Sequence, residues 1–130
     1  MVLQINREII NTKKAPAAIG PYSQATKFNN LVFISGQIAI KPESNELLDD
    51  DIIIQTKQVI ENIKTILKGA GSSLEKVLKI TIFITNMKGF GQVNKVYAEY
   101  FETSLPARAC VEVSNLPKGA KIEMEAIAAC

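Results

Sequence analysis

Only two stretches of this chain carry the period of an amphipathic helix, and that limits the fold more than any other feature. Between Ile52 and Lys68, the residues Val59, Ile60, Ile63, Ile66, Leu67 and Ala70 keep the i, i+3, i+4, i+7 spacing of one apolar stripe, and Gly69 and Gly71 end it. From roughly Lys88 to Glu102, a second stripe runs through Phe90, Val93, Tyr97, Tyr100 and Phe101, with Asn86 placed as its N-cap. The other patterned segments read as strands: one or two in the first ten residues, Leu31 to Ile34, Val77 to Thr85, and the runs either side of Asn115–Gly119. Two helices cover one face of a sheet and leave the other bare. The expectation is therefore an α+β fold, a single sheet with two helices on one face, in one domain spanning residues 1–130.

The strands can be read by face, because side chains alternate along them. In the strongest, Leu78, Ile80, Ile82 and Ile84 point one way and Val77, Lys79, Thr81, Phe83 and Thr85 the other. The stretch from Leu105 to Ala128 holds two alternating runs around a turn signal, most simply a hairpin. Arg108, Cys110 and Glu112 share one face of the first run; in the second, Ile122, Met124, Ala126 and Ala128 oppose Glu123, Glu125 and Ile127. Periodicity alone leaves Arg108 open between a solvated edge charge and an anion site. The bare face, with Val77, Phe83, Ala109 or Cys110, and Ile127, is apolar enough that another copy of the chain is expected to cover it.

The loops carry information of their own. Residues 15–25, APAAIGPYSQA, form a proline-stiffened apolar loop that runs into a strand, and Tyr22 in it reads either as a packed tyrosine or as a site residue. Ser35-Gly36-Gln37 ends an apolar run, where glycine permits a bulge or a close approach. Lys41 to Asp51 reads as a surface loop, and its Asp49-Asp50-Asp51 run fits a helix N-terminus better than a metal site.

Composition excludes several chemistries. The chain has no histidine, so a histidine base, Ser-His or Cys-His nucleophilic machinery and the usual zinc sites are out of reach. Cys110 and Cys130 read as free thiols, and neither a metal nor a cofactor is expected. A net charge of +2, scattered lysines and no tryptophan speak against nucleic acid as a partner. With no signal-like or membrane-length apolar run, a soluble cytoplasmic protein is expected.

Three blocks give the chain a resemblance to a known family: APAAIGPYSQA with the SGQ at 35–37, PARACVEVSNLPKGAKIEMEAIA at 106–128, and the segment from Ile80 through Phe90, Val93 and Asn94. Together they resemble the RidA family, also called YjgF or L-PSP, over essentially the whole chain; Asn86 stands where that family usually has aspartate. The resemblance implies a chorismate-mutase-like mixed sheet whose last strands need not pair, and homotrimers with sheets packed inward and active sites between subunits. It implies hydrolytic deamination of reactive 2-enamine or 2-imino acids, such as 2-aminoacrylate and 2-iminobutanoate, to 2-keto acids and ammonia. By the same resemblance Arg108 binds the substrate carboxylate and Glu123 positions or activates water. Tyr22, Ser35, Gly36, Phe90, Asn94 and Cys110 then line the pocket, with Pro117 as a wall. The alternatives are an endoribonuclease or translation inhibitor, and a non-catalytic small-molecule-binding or chaperone-like member.

Overall fold

The computed structural model describes residues 6–49 and 51–130. Along the chain run β1 (Arg7–Ile10), β2 (Ala25–Phe28), β3 (Leu31–Gln37), β4 (Ile40–Lys41), β5 (Glu46–Leu47), α1 (Ile52–Gly69), β6 (Val77–Ile84), α2 (Phe90–Phe101), β7 (Ala107–Glu112) and β8 (Ile122–Ala129). Six of these strands build a mixed sheet in the order β1-β2-β3-β8-β6-β7, with β7 parallel to β6 and the other pairs antiparallel. The expected strand content of residues 1–5 lies outside the described residues.

Helix α1 forms where the stripe and its end signals coincide. Asp51 Oδ1 accepts from the Ile54 N–H at 3.0 Å, so the aspartate run does cap the helix; Asp50 lies outside the described residues. At the other end Gly71, at φ +79°, lets its own N–H reach the Lys68 carbonyl and the Ser72 N–H reach that of Leu67, a Schellman motif. Val59, Ile60, Ile63, Ile66 and Leu67 are fully buried against Val32, Ile34, Ile80, Ile82, Met124 and Ala128. A turn of 3₁₀ helix at Met87–Gly89 starts the second helix, with Asn86 Oδ1 accepting from the Lys88 N–H at 3.0 Å. Val93, Tyr97 and Phe101 of the second stripe are buried, whereas Tyr100 is half-buried and donates to Glu61 Oε2 at 2.9 Å. No helix among the described residues is long and apolar enough to cross a membrane.

Three expectations need correction. The two runs of Leu105–Ala128 do not form a hairpin: β6 lies between β7 and β8, and α2 makes the crossover that a parallel β6–β7 pair requires. In β6 the alternation breaks, because Val77 pairs with Ala128 while Lys79 pairs with Ile127. Leu78 is thus the extra residue of a bulge, 49 % exposed, and Val77 turns into the core instead of the bare face. The polar segment 41–51 is not all loop, since Glu46–Leu47 pairs back on Ile40–Lys41 as a small separate ladder.

The face opposite the helices carries Phe33, Phe83, Val111 and Ile127, with Phe33 and Val111 more than two-fifths exposed. Cys110 is not part of it, because its register partner Ile82 points into the core.

Two glycines separate backbone strain from packing. A Cβ at Gly71 or at Gly91 would meet nothing within 4 Å, but only Gly71 has a positive φ. Gly71→Ala should therefore cost ~1–2 kcal/mol through its left-handed backbone, and Gly91→Ala, inside α2, should gain ~0.5–1 kcal/mol. Chemical denaturation of the two variants checks the opposite signs.

Candidate active site

Arg108 owes its surroundings to strand register. In the parallel β6–β7 pair, Arg108, Cys110 and Glu112 sit opposite Ile80, Ile82 and Ile84, each buried beneath the helices. The three side chains of β7 therefore face the helix layer, but from the edge strand, where the core no longer covers them. Helix α2 meets them there with Phe90, Asn94 and Tyr97, at i, i+4 and i+7 on one helical face. The Arg108 Nη1 donates to Asn94 Oδ1 at 2.8 Å, and its Cζ lies 4.7 Å from the Tyr97 ring centroid and 5.3 Å from that of Phe90. Four residues further on, Glu112 Oε1 accepts from the Met87 N–H at 2.7 Å, which ties the far end of β7 to the turn before α2.

Among the described residues this arrangement leaves most of the guanidinium available. Its hydrogen bond to Asn94 engages one nitrogen, and the group opens on a cleft of about 470 Å³ lined by Asn94, Tyr97, Ala98, Glu102, Leu105 and Pro106. A planar fork with free donors suits a carboxylate, which it can hold through two charge-assisted bonds. Burial pushes the Cys110 thiol up, and Arg108 opposes that with the smaller effect, so Cys110 is uncharged at neutral pH.

Glu123 lies elsewhere. On β8 it pairs with Phe83 and so points to the face without helices. Its side chain packs directly over Gly36, which sits where the β3–β8 register shifts between Ile34 and Gln37. A Cβ at Gly36 would come 2.9 Å from the Glu123 Cδ and closer still to Oε2, so the position has room for glycine alone. Burial raises the pKa of the Glu123 carboxyl, and the neighbouring charge of Glu125 raises it further.

The proline-stiffened loop closes one side of this second cleft. Gln24, 2 % exposed, holds it: its Oε1 accepts from the Thr12 N–H at 2.7 Å, and its Nε2 donates to the carbonyls of Thr12 at 3.0 Å and Pro16 at 2.9 Å. The Ser35 hydroxyl donates to the Ser23 carbonyl at 2.6 Å, so its proton anchors the same loop. Tyr22, 49 % exposed, then lines one narrow cleft with Ile19, Gly36, Pro117 and Glu123, and Ser35 borders the adjoining hollow beside Tyr22.

Eight of the nine residues singled out from the sequence thus fall into two groups of four, and the ninth, Pro117, lines the Glu123 cleft. Phe90, Asn94, Arg108 and Cys110 lie on the helix side of the sheet edge; Tyr22, Ser35, Gly36 and Glu123 lie on the bare side. Two strand spacings and three residues along β8 separate Arg108 from Glu123, about 14 Å through the backbone, with the side chains on opposite faces. One copy of the chain does not bring them onto one small molecule. No local signal marks Gln24 as the holder of this loop, because its three hydrogen bonds reach Thr12 and Pro16, twelve and eight residues away.

A single mixed sheet with two helices on one face, an edge arginine turned toward α2 and a glutamate on the bare face define an α+β protein whose candidate site is split across its sheet. The family model described as Endoribonuclease L-PSP matches residues 12–130. A RutC family protein of Pyrococcus abyssi is 56 % identical over 94 % of this chain and 96 % of its own length. A 2-iminobutanoate/2-iminopropanoate deaminase of Mus musculus is 46 % identical over 95 % and 92 %. The solved structure of E. coli TdcF with bound serine superposes with a TM-score of 0.90 at 41 % identity, covering 95 % of this chain and 98 % of that one. The chain belongs to the RidA/YjgF/L-PSP family.

The contact between Gly36 and Glu123 makes a quantitative prediction. Gly36→Ala should destabilise the protein by ~1–3 kcal/mol, the usual cost of overpacking. In a double-mutant cycle, Glu123→Ala should relieve most of that loss; additive losses in denaturation would show that the clash lies elsewhere.

Proposed function

We propose that this protein hydrolyses reactive 2-imino acids, and their 2-enamine tautomers, to 2-keto acids and ammonia, at sites shared between copies of the chain. The observation that carries the reading is the split itself. A guanidinium with free donors and a partly buried carboxylate stand on opposite faces of one sheet, so a second copy must bring them together. Homotrimers with their bare sheet faces packed inward supply that second copy and cover Phe33, Phe83, Val111 and Ile127. The deaminase name of the mouse relative and the serine bound in the TdcF structure, a small molecule with a carboxylate, support the same substrate class.

The chemistry asks little beyond positioning. The substrate carboxylate docks on Arg108 of one copy, whose fork is held by Asn94. Glu123 of the neighbouring copy takes a proton from water as that water adds to the C=N carbon, giving a carbinolamine. Glu123 returns that proton to nitrogen, and as the C–N bond breaks and the C=O forms, the hydroxyl gives its proton to the departing ammonia, leaving ammonium and the keto acid. A protonated imine is already electrophilic, so orientation and charge placement supply the acceleration. Tyr22, Ser35 and Gly36 on one copy, and Phe90 and Cys110 on the other, shape the walls.

The endoribonuclease reading draws on the description of the matching family model. RNA cleavage that survives high-salt purification and disappears with Arg108→Ala would favour it.

Arg108→Ala and Glu123→Ala should each lose at least ~100-fold in kcat/KM toward freshly generated 2-iminobutanoate. Co-expressed in one oligomer, the two variants should recover roughly a quarter of wild-type sites, since each site draws its two groups from different copies. No recovery in oligomers shown to contain both chains would contradict the shared site. The acid limb of kcat/KM should lie above the ordinary glutamate range, because Glu123 must be ionised and its pKa is raised. Glu125→Gln removes one of the two causes and should move that limb to lower pH; an unmoved limb would assign the titration to another group.

A further inference from the structure

We propose that Tyr97 is a positioning residue for Arg108: its ring is the platform that fixes the guanidinium so that the free side of the fork meets a carboxylate. The proposal rests on the reading of Arg108 as a carboxylate anchor. In the sequence Tyr97 is one member of a core stripe, yet its ring lies closer to the Arg108 Cζ than that of Phe90, at 4.7 Å against 5.3 Å.

The need for a platform follows from the exposure of Arg108. A long side chain on an edge strand, held by one hydrogen bond to Asn94, can still turn about that bond. An aromatic face against the guanidinium plane removes the freedom without using a donor. Tyr97 is the rigid one of the two rings. It is 7 % exposed and packs on Phe101, itself 1 % exposed, with centroids 4.6 Å apart, whereas Phe90 is half-exposed and begins the first turn of α2.

The phenol group shows that the ring face is what matters. Buried tyrosine hydroxyls ordinarily find a hydrogen-bond partner. That of Tyr97 is the one buried side-chain polar atom among the described residues that lacks one, so no hydrogen bond explains a tyrosine there. Burial also raises its pKa against the smaller opposing effect of Arg108, so the phenol stays neutral and the contact is between a cation and a π face, not an ion pair.

Tyr97→Phe keeps the ring; Tyr97→Leu and Tyr97→Met remove it while filling the space. The phenylalanine variant should hold KM for 2-iminobutanoate within about two-fold of wild type, and the leucine and methionine variants should raise it roughly ten-fold with kcat little changed. The Arg108 Nε–H resonance should be ring-current shifted in the wild type and in the phenylalanine variant, and return to its ordinary position in the other two. Folded leucine or methionine variants with unchanged KM and resonance would overturn the proposal, as would a fall in kcat at constant KM. A wild-type resonance at the ordinary position would overturn it without any variant. Absence of imine hydrolysis by the wild type would reject the functional reading instead, and the resonance would still decide whether Tyr97 holds Arg108.

Discussion

The register between β6 and β7 is the constraint on which the rest depends. Because Arg108 sits opposite Ile80, it must face the helix layer, and because β7 is the edge strand, it faces that layer where the core has run out. Had β7 paired with β8 as a hairpin, nothing would bring Arg108 beside Ile80 and α2. The crossover through α2 instead places Phe90, Asn94 and Tyr97 against it, so the connection that makes the parallel pair also builds the arginine's socket.

The same alternation that directs Arg108 toward the helices sends Glu123 the other way, into a cleft closed by the loop that Gln24 holds. Each half is costly or incomplete by itself. Glu123 is partly buried beside Glu125, and its raised pKa records both costs. Arg108 keeps donors without a partner among the described residues, at a cleft whose walls mix Tyr97, Ala98, Leu105 and Pro106 with Asn94 and Glu102. On the proposed reading, the bare apolar sheet face on the glutamate side would drive assembly, and joining the halves would place opposite charges on either side of a small substrate.

Much of this was legible in the sequence wherever the information is local. The stripes from Val59 to Ala70 and from Phe90 to Phe101, the cap at Asp51, the glycine stop at Gly71 and the alternation in both terminal strands follow from neighbouring residues and their periods. What failed depends on distant partners. Val77 and Leu78 are both apolar strand formers, so nothing in the local pattern says which one the bulge expels. The insertion of β6 between β7 and β8 is a pairing choice that no turn signal encodes, and the β4–β5 ladder was hidden by polar composition. Tyr97 shows a further limit: the spacing that fills a core is the same spacing that lines a site, and only its contact with Arg108 tells them apart.

The central claim is that one substrate is held by Arg108 of one copy and faced by Glu123 of another. A crystal structure of the oligomer with 2-oxobutanoate, the keto acid product, tests it most directly. The account predicts the ligand carboxylate on the Arg108 fork and the Glu123 carboxylate of the adjacent chain over its carbonyl carbon. A ligand held by Arg108 and Glu123 of the same chain, or bound away from both, would contradict it.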